Sequence, residues 1–228
     1  MQQPPKTTAT GNLLDAGSFT LGCLESNALS MVLIAEFEKQ QDLLRATNEA
    51  LNKAKDFTNR KAGPINQVDE LARQMLRLLQ LDALKFVGKN TKDPFYIALL
   101  GKGLSFSTKL KGEDMNAELG RLAERLKDLP KEHALHGYHA QTVAIRTAYV
   151  APSKVLEDAK TAQAKARTTR DQARLAWLGA YEGVYGGLRK IFPGRKAYVE
   201  TFFRKFSKGG KGNGNGNGGG GNGGSGQG

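Results

Sequence analysis

All three histidines of the chain lie within seven residues, in Glu132-His133-Ala134-Leu135-His136-Gly137-Tyr138-His139. If this stretch is helical, Glu132, His136 and His139 stand at i, i+4 and i+7 on one face. Two imidazoles and a carboxylate so placed suit zinc or another divalent ion. His133 sits on a neighbouring edge and pairs with His136 at i+3. Free imidazoles titrate near 6.5, so the cluster also reads as a pH-sensitive surface. Two features favour a plain exposed cluster instead. Gly137 weakens the helix that orients the ligands, and no Glu-x-x-His pair occurs, so the di-iron bundle pattern is missing.

A second constellation is electrostatic. Between Tyr181 and Lys211 stand Arg189, Lys190, Arg195, Lys196, Arg204, Lys205, Lys208 and Lys211, opposed only by Glu182 and Glu200. That stretch carries +6, half of the formal net charge of +12. Interleaved with it are Tyr185, Phe192, Tyr198, Phe202, Phe203 and Phe206. Such an asymmetry points to an anionic partner, whether nucleic acid, lipid head groups or an acidic protein surface. Cations among aromatic faces suit single-stranded nucleic acid. They equally suit a short helix docked through Tyr198, Phe202 and Phe206 with its cations outward.

The remaining chemical signals are weaker. Gly101-Lys102-Gly103 lacks the Walker spacing and reads as a turn. Cys23 has no histidine near it in sequence; a lone cysteine forms no internal disulfide and fits a reducing compartment. Thr20-Leu21-Gly22-Cys23 resembles a lipoprotein cleavage site, but the polar residues before it supply no apolar stretch. No nucleophile elbow or dinucleotide fingerprint is present. Phe95–Phe106 is apolar and broken by glycines, yet too short to span a bilayer as a helix. Membrane insertion of this segment is therefore not expected, and a membrane is not among the expected partners.

The elements that must position these residues are helical. Ala, Leu, Glu, Lys, Arg and Gln predominate, all strong helix formers. Residues 1–22 lack periodicity and read as a flexible arm. From Leu24 to about Arg60, Phe37, Leu44 and Leu51 form one line of a seam, with Leu33, Gln40, Thr47 and Ala54 as the other. Gly63-Pro64 predicts a stop. A second helix runs to about Val87, with Val68, Leu71, Met75, Leu78 and Leu79 inward and Leu76, Leu81 and Leu84 widening that face. Residues 90–112 form an irregular excursion: a short helix opened by Asp93-Pro94, then an alternating, strand-like 104–110. Met115, Leu119, Leu122, Leu126 and Leu129 mark a third helix, capped by Asp114 and continuing past a kink at Pro130 to about Val150. Ala151-Pro152-Ser153 turns the chain. The fourth helix, to about Lys190, carries an alanine stripe including Ala159, Ala162, Ala166, Ala173, Ala176 and Ala180. From Gly209 to Gly228 lie 13 of the 28 glycines, in a tail that cannot bury a core.

These readings predict an all-α fold: an elongated, antiparallel, coiled-coil-like four-helix bundle with a short C-terminal helix and a disordered tail. The expected organisation is an arm at 1–22, a helical domain at 23–207 and a Gly/Asn tail at 208–228. The expected function is non-enzymatic and cytoplasmic: a scaffold, adaptor or assembly subunit with a protein partner or self-association. Two alternatives stand beside it, nucleic-acid binding through 189–211 and a metal-binding bundle using Glu132, His136 and His139. No cofactor is expected apart from that divalent metal.

Overall fold

A computed structural model describes residues 4–5, 7–100 and 109–206, and among these every regular element is helical. In chain order they are α1 (Thr10–Glu25), a 3-10 turn (Met31–Leu33), α2 (Ile34–Phe86), α3 (Pro94–Leu100), α4 (Gly112–Lys127), α5 (Gly137–Ile191) and α6 (Lys196–Glu200). The chain divides into two compact units. Unit 1 draws on the stretch up to Leu43 and on the chain from Arg174, whereas unit 2 is Leu44–Ala173. The strand-like stretch expected at 104–110 falls almost wholly outside the described residues, as does the Gly/Asn tail.

The first departure from the sequence reading is α1, which occupies most of the expected arm. Its buried residues Thr10, Leu13, Ala16, Gly17, Thr20 and Leu24 line one face. Four of the six, Thr10, Ala16, Gly17 and Thr20, are small or polar, so the stripe is weak in hydropathy although regular in spacing. Pro64 and Pro152 are the second. Both lie inside continuous helices, α2 and α5. An internal proline costs about 3 kcal/mol. Around Pro64, burial of Ile65 and Val68 offsets it, since each such side chain contributes roughly 1.5–3 kcal/mol.

Unit 2 is built on the face of α2 that carries Val68, Ala72, Met75, Leu76, Leu79 and Ala83. Against it pack Met115, Leu119, Leu122 and Leu126 of α4, as their spacing predicts, with Tyr96, Leu99 and Leu100 of α3. Leu71, Leu78 and Leu81 lie off this face, contrary to expectation. At 100° per residue Leu71 and Leu78 fall on the flank of the arc from Ala72 to Ala83, and Leu81 falls on its far side. Asp69 is the polar centre of the unit. Its Oδ1 accepts the Tyr149 hydroxyl at 2.7 Å and the Gly112 N–H at 2.8 Å, joining α2, α5 and α4. Gly112 has φ +54°, and there a side chain is strained. α4 therefore starts at this glycine, and the Asp114 cap expected from the sequence is not formed; Asp114 stands in the first turn.

Unit 1 centres on an aromatic group. Trp177 stacks on Tyr181 with ring centroids 4.8 Å apart, and Phe37 lies 5.8 Å from Trp177. Phe37 is buried, as the seam predicts, but the polar side chain inside the core is Gln41, not Gln40. Gln41 accepts the Trp177 indole N–H at 2.6 Å and donates to the Leu14 carbonyl at 2.7 Å. One amide thus joins α5, α2 and α1. A Cβ on Gly17 would fall inside that amide, so α1 needs glycine here to approach this closely.

Candidate functional site

The basic segment is held by its aromatic side chains. Phe192, Val199, Phe202 and Phe203 are buried. Phe203 meets Tyr181 edge-on at 5.1 Å, and Tyr198 meets Phe192 edge-on, also at 5.1 Å. Hydrogen bonds continue the docking, with the Thr20 hydroxyl donating to the Phe202 carbonyl at 2.9 Å. The expected helix displaying Tyr198, Phe202 and Phe206 together is not formed. α6 is a five-residue helix ending at Glu200, and the chain continues in turns. Burial also removes Phe192, Phe202 and Phe203 from the set available to stack on bases.

The cations of this segment face solvent. Lys190, Arg195, Lys196, Arg204 and Lys205 are exposed and Arg189 is half-buried; Lys208 and Lys211 lie outside the described residues. Beside them runs the connection from α1 to α2. The Asn27 side-chain amide donates to the Tyr198 hydroxyl at 3.0 Å, and a Cβ on Gly187 would lie 2.7 Å from Leu33 Cδ2. This connection displays Leu29, Met31 and Val32, which are 64%, 57% and 78% exposed. Sequence reasoning missed the trio because it placed Leu29–Leu33 inside a continuous helix. The signal present was Ser26-Asn27, residues that favour turns. Asn27 indeed accepts the Leu29 N–H, and Ser30 donates to the Leu24 carbonyl.

Comparison with protein-family models, with curated proteins and with solved structures returns no match.

The histidine cluster does not lie on one helical face. α4 ends at Lys127, and residues 128–136 are turns and bends. Pro130 disfavours helix at Leu129, so the continuous kinked helix expected from 114 to 150 is two helices with a break. Glu132 and His136 lie in that break, whereas His139 is in the first turn of α5. The i, i+4, i+7 register of Glu132, His136 and His139 is consequently absent. Among the described residues no three His, Cys, Asp or Glu side chains gather as a metal site. His133 instead packs beside Phe86 and Phe95, with ring centroids 4.5 and 5.3 Å away, and its Nδ1 accepts the Leu135 N–H. It serves as a packed turn residue. The His136 and His139 rings are 6.2 Å apart.

Unit 2 also holds a cleft of about 430 Å³ between α2, the start of α4 and α5. Its charged lining mixes Lys111 and Lys160 with Asp69, Glu113, Asp114 and Glu157, and includes no His or Cys. Ser153 is its one hydroxyl. Burial pushes the Cys23 thiol up, the opposite of the shift that makes a reactive thiolate.

Burial and the hydrogen bond to Asp82 push Tyr138 up to about 12, while the Asp82 carboxyl is lowered, chiefly by the same bond. The Tyr138 hydroxyl donates to Asp82 at 2.7 Å. Burial likewise raises Tyr181 to about 12. In each case the perturbation follows from packing or structural hydrogen bonding. No helix among the described residues is long and apolar enough to cross a membrane.

Proposed function

We propose that this is a non-enzymatic helical interaction protein of the cytoplasm, a scaffold, adaptor or assembly subunit working through protein contacts. The observation that carries this reading is a stripe on α2. Leu71, Leu78 and Leu81 are 54%, 55% and 55% exposed and follow one another at seven and three residues. That is the a/d spacing of a helix–helix seam, with Gln74 at the intervening d position. Glu70 and Arg77, both exposed, border it. A stripe of this kind fits the apolar face of a partner's amphipathic helix.

The finer architecture proposed with it is an antiparallel bundle. In unit 2, Thr58 bonds to Ala159, Asp69 to Tyr149 and Asp82 to Tyr138, so partners descend α5 as α2 ascends. In unit 1, Leu33 faces Gly187 and Gln41 faces Trp177, in the same sense.

The test compares the full chain with a Leu71→Gln/Leu78→Gln/Leu81→Gln variant. All three positions are exposed, so helix content and melting temperature should be retained. Affinity recovery from the native host and sedimentation velocity are then run on both. The expected result is a partner, or a second copy, that the variant loses at least tenfold. Identical recovery and identical sedimentation of the two proteins would sink the reading.

A further inference from the structure

We propose that the α1–α2 connection and the basic segment of unit 1 form one docking face for an anionic lipid surface. The face belongs wholly to unit 1 and does not depend on the leucine stripe of unit 2. Its apolar part is Leu29, Met31 and Val32, displayed together on a turn whose backbone is internally bonded. Three large apolar side chains this exposed in one short turn are unusual on a soluble surface. Side chains of this type insert at the boundary between head groups and acyl chains.

The cationic part is fixed to the same turn at two points. Asn27 bonds to Tyr198, within one helical turn of Arg195 and Lys196 in sequence. Leu33 packs on Gly187, within one turn of Arg189 and Lys190. Tyr198 is itself 41% exposed, and its amphipathic ring suits the interface between water and lipid. The acidic groups on these segments are few. Glu25 is the one acid between Ala16 and Ala35, and Glu200 the one acid between Gly183 and Phe206, where six cations stand. An apolar tip bordered by cations is complementary to a bilayer carrying phosphatidylserine or phosphoinositide. Each basic side chain near such a surface strengthens binding about fivefold.

This arrangement also favours lipid over nucleic acid as the occupant. Stacking on bases requires open aromatic faces, and Phe192, Phe202 and Phe203 are buried in unit 1. Beside the open ring of Tyr198, the apolar groups this face exposes are Leu29, Met31 and Val32, and such side chains gain more from acyl chains than from bases. Membrane insertion was not expected from the sequence because no segment spans a bilayer; surface docking needs no span.

The experiment is co-sedimentation of the full chain with vesicles of phosphatidylcholine, alone or mixed with phosphatidylserine, over a range of salt. Two variants accompany it, Met31→Asp/Val32→Asp and Lys190→Glu/Lys196→Glu. All four positions are exposed, and unchanged circular dichroism melts confirm folding. The expected result is binding to the anionic vesicles only, weakening with salt and reduced at least tenfold in both variants. Equal binding to both vesicle types, no binding to anionic vesicles, or full binding by the Met31/Val32 variant would overturn the proposal. Binding to single-stranded DNA without binding to vesicles would overturn it too, and would assign the basic segment to nucleic acid.

Discussion

Replacing Gln41 by Met keeps the length and flexibility of the side chain while removing both of its polar functions. In unit 1 the amide accepts the indole N–H of Trp177, a residue with no exposure, at 2.6 Å. It also donates to Leu14, whose carbonyl lies within α1. That carbonyl is positioned to keep its helical partner, so the chief orphan is the indole N–H. A buried donor left without a partner costs about 1–3 kcal/mol, and the lost second bond adds about 1 kcal/mol. The expected destabilisation is therefore about 2–4 kcal/mol, a fall of roughly 5–15 °C in melting temperature for a chain of this size. Trp177 is the sole tryptophan, so its emission reports unit 1 specifically during urea unfolding. A Trp177→Phe background, followed by circular dichroism, supplies the control. With the donor gone, Gln41→Met should cost at least about 1 kcal/mol less than it does in the native chain. A loss below about 0.5 kcal/mol, or equal losses in the two backgrounds, would refute the idea that this amide holds three helices together.

Gly17→Ala should destabilise by about 1–3 kcal/mol through overpacking on Gln41, although alanine is the better helix former by about 1 kcal/mol. Gly22→Ala in the same helix meets open space and should be neutral or stabilising, so urea midpoints of the pair must move apart. Asp69→Ala should cost about 2–5 kcal/mol by orphaning the Tyr149 hydroxyl and the Gly112 N–H, seen as loss of amide protection in unit 2 by hydrogen exchange. Tyrosines 138 and 181 ionise near 12 when folded, against about 10 when unfolded. The native state then holds more protons above pH 10, so stability is fully present below that pH and falls as pH rises through 12. Denaturant midpoints measured from pH 8 to 12, alongside absorbance at 295 nm, should show a plateau followed by that decline. Treatment with EDTA should leave the melting temperature unchanged within about 1 °C, since the register a metal needs at Glu132, His136 and His139 is not formed; a clear drop would restore the metal reading.

Legibility followed side-chain size and local context. Phe37, Leu44 and Leu51, and Met115 through Leu126, were readable because large apolar groups at helical spacing have few alternatives to burial. α1 was hidden because its packing relies on close approach at Ala16 and Gly17, and closeness is invisible in hydropathy. The prolines misled in opposite directions. Pro64 and Pro152 were read as stops where the helix runs through, and Pro130 as a kink where the chain breaks. The sign of each outcome depends on the burial available on either side, which is a property of the partners and not of the proline. The histidine cluster failed for the same reason, since its register presupposed a helix that Pro130 and Gly137 do not support.

What the sequence concealed most completely are two of the buried polar groups, Gln41 and Asp69. Gln41 and Asp69 sit in helical runs rich in Gln, Asp and Glu, and composition does not distinguish them from their solvated neighbours. Each nevertheless bonds to two other helices, Gln41 to α1 and α5, Asp69 to α4 and α5. Long helices lined by Leu and Ala slide past one another at little cost, because apolar contacts are non-directional. A hydrogen-bonded group is different: shifting α5 by one turn leaves Trp177 or Tyr149 with a buried, unmet donor, at roughly 1–3 kcal/mol each. One such group per unit is enough to select a register. The exposed leucine stripe of α2 and the apolar turn of unit 1 inherit their geometry from that selection. Partner capture by the first and lipid docking by the second should therefore both weaken in Gln41→Met and Asp69→Ala, each in its own unit and not in the other.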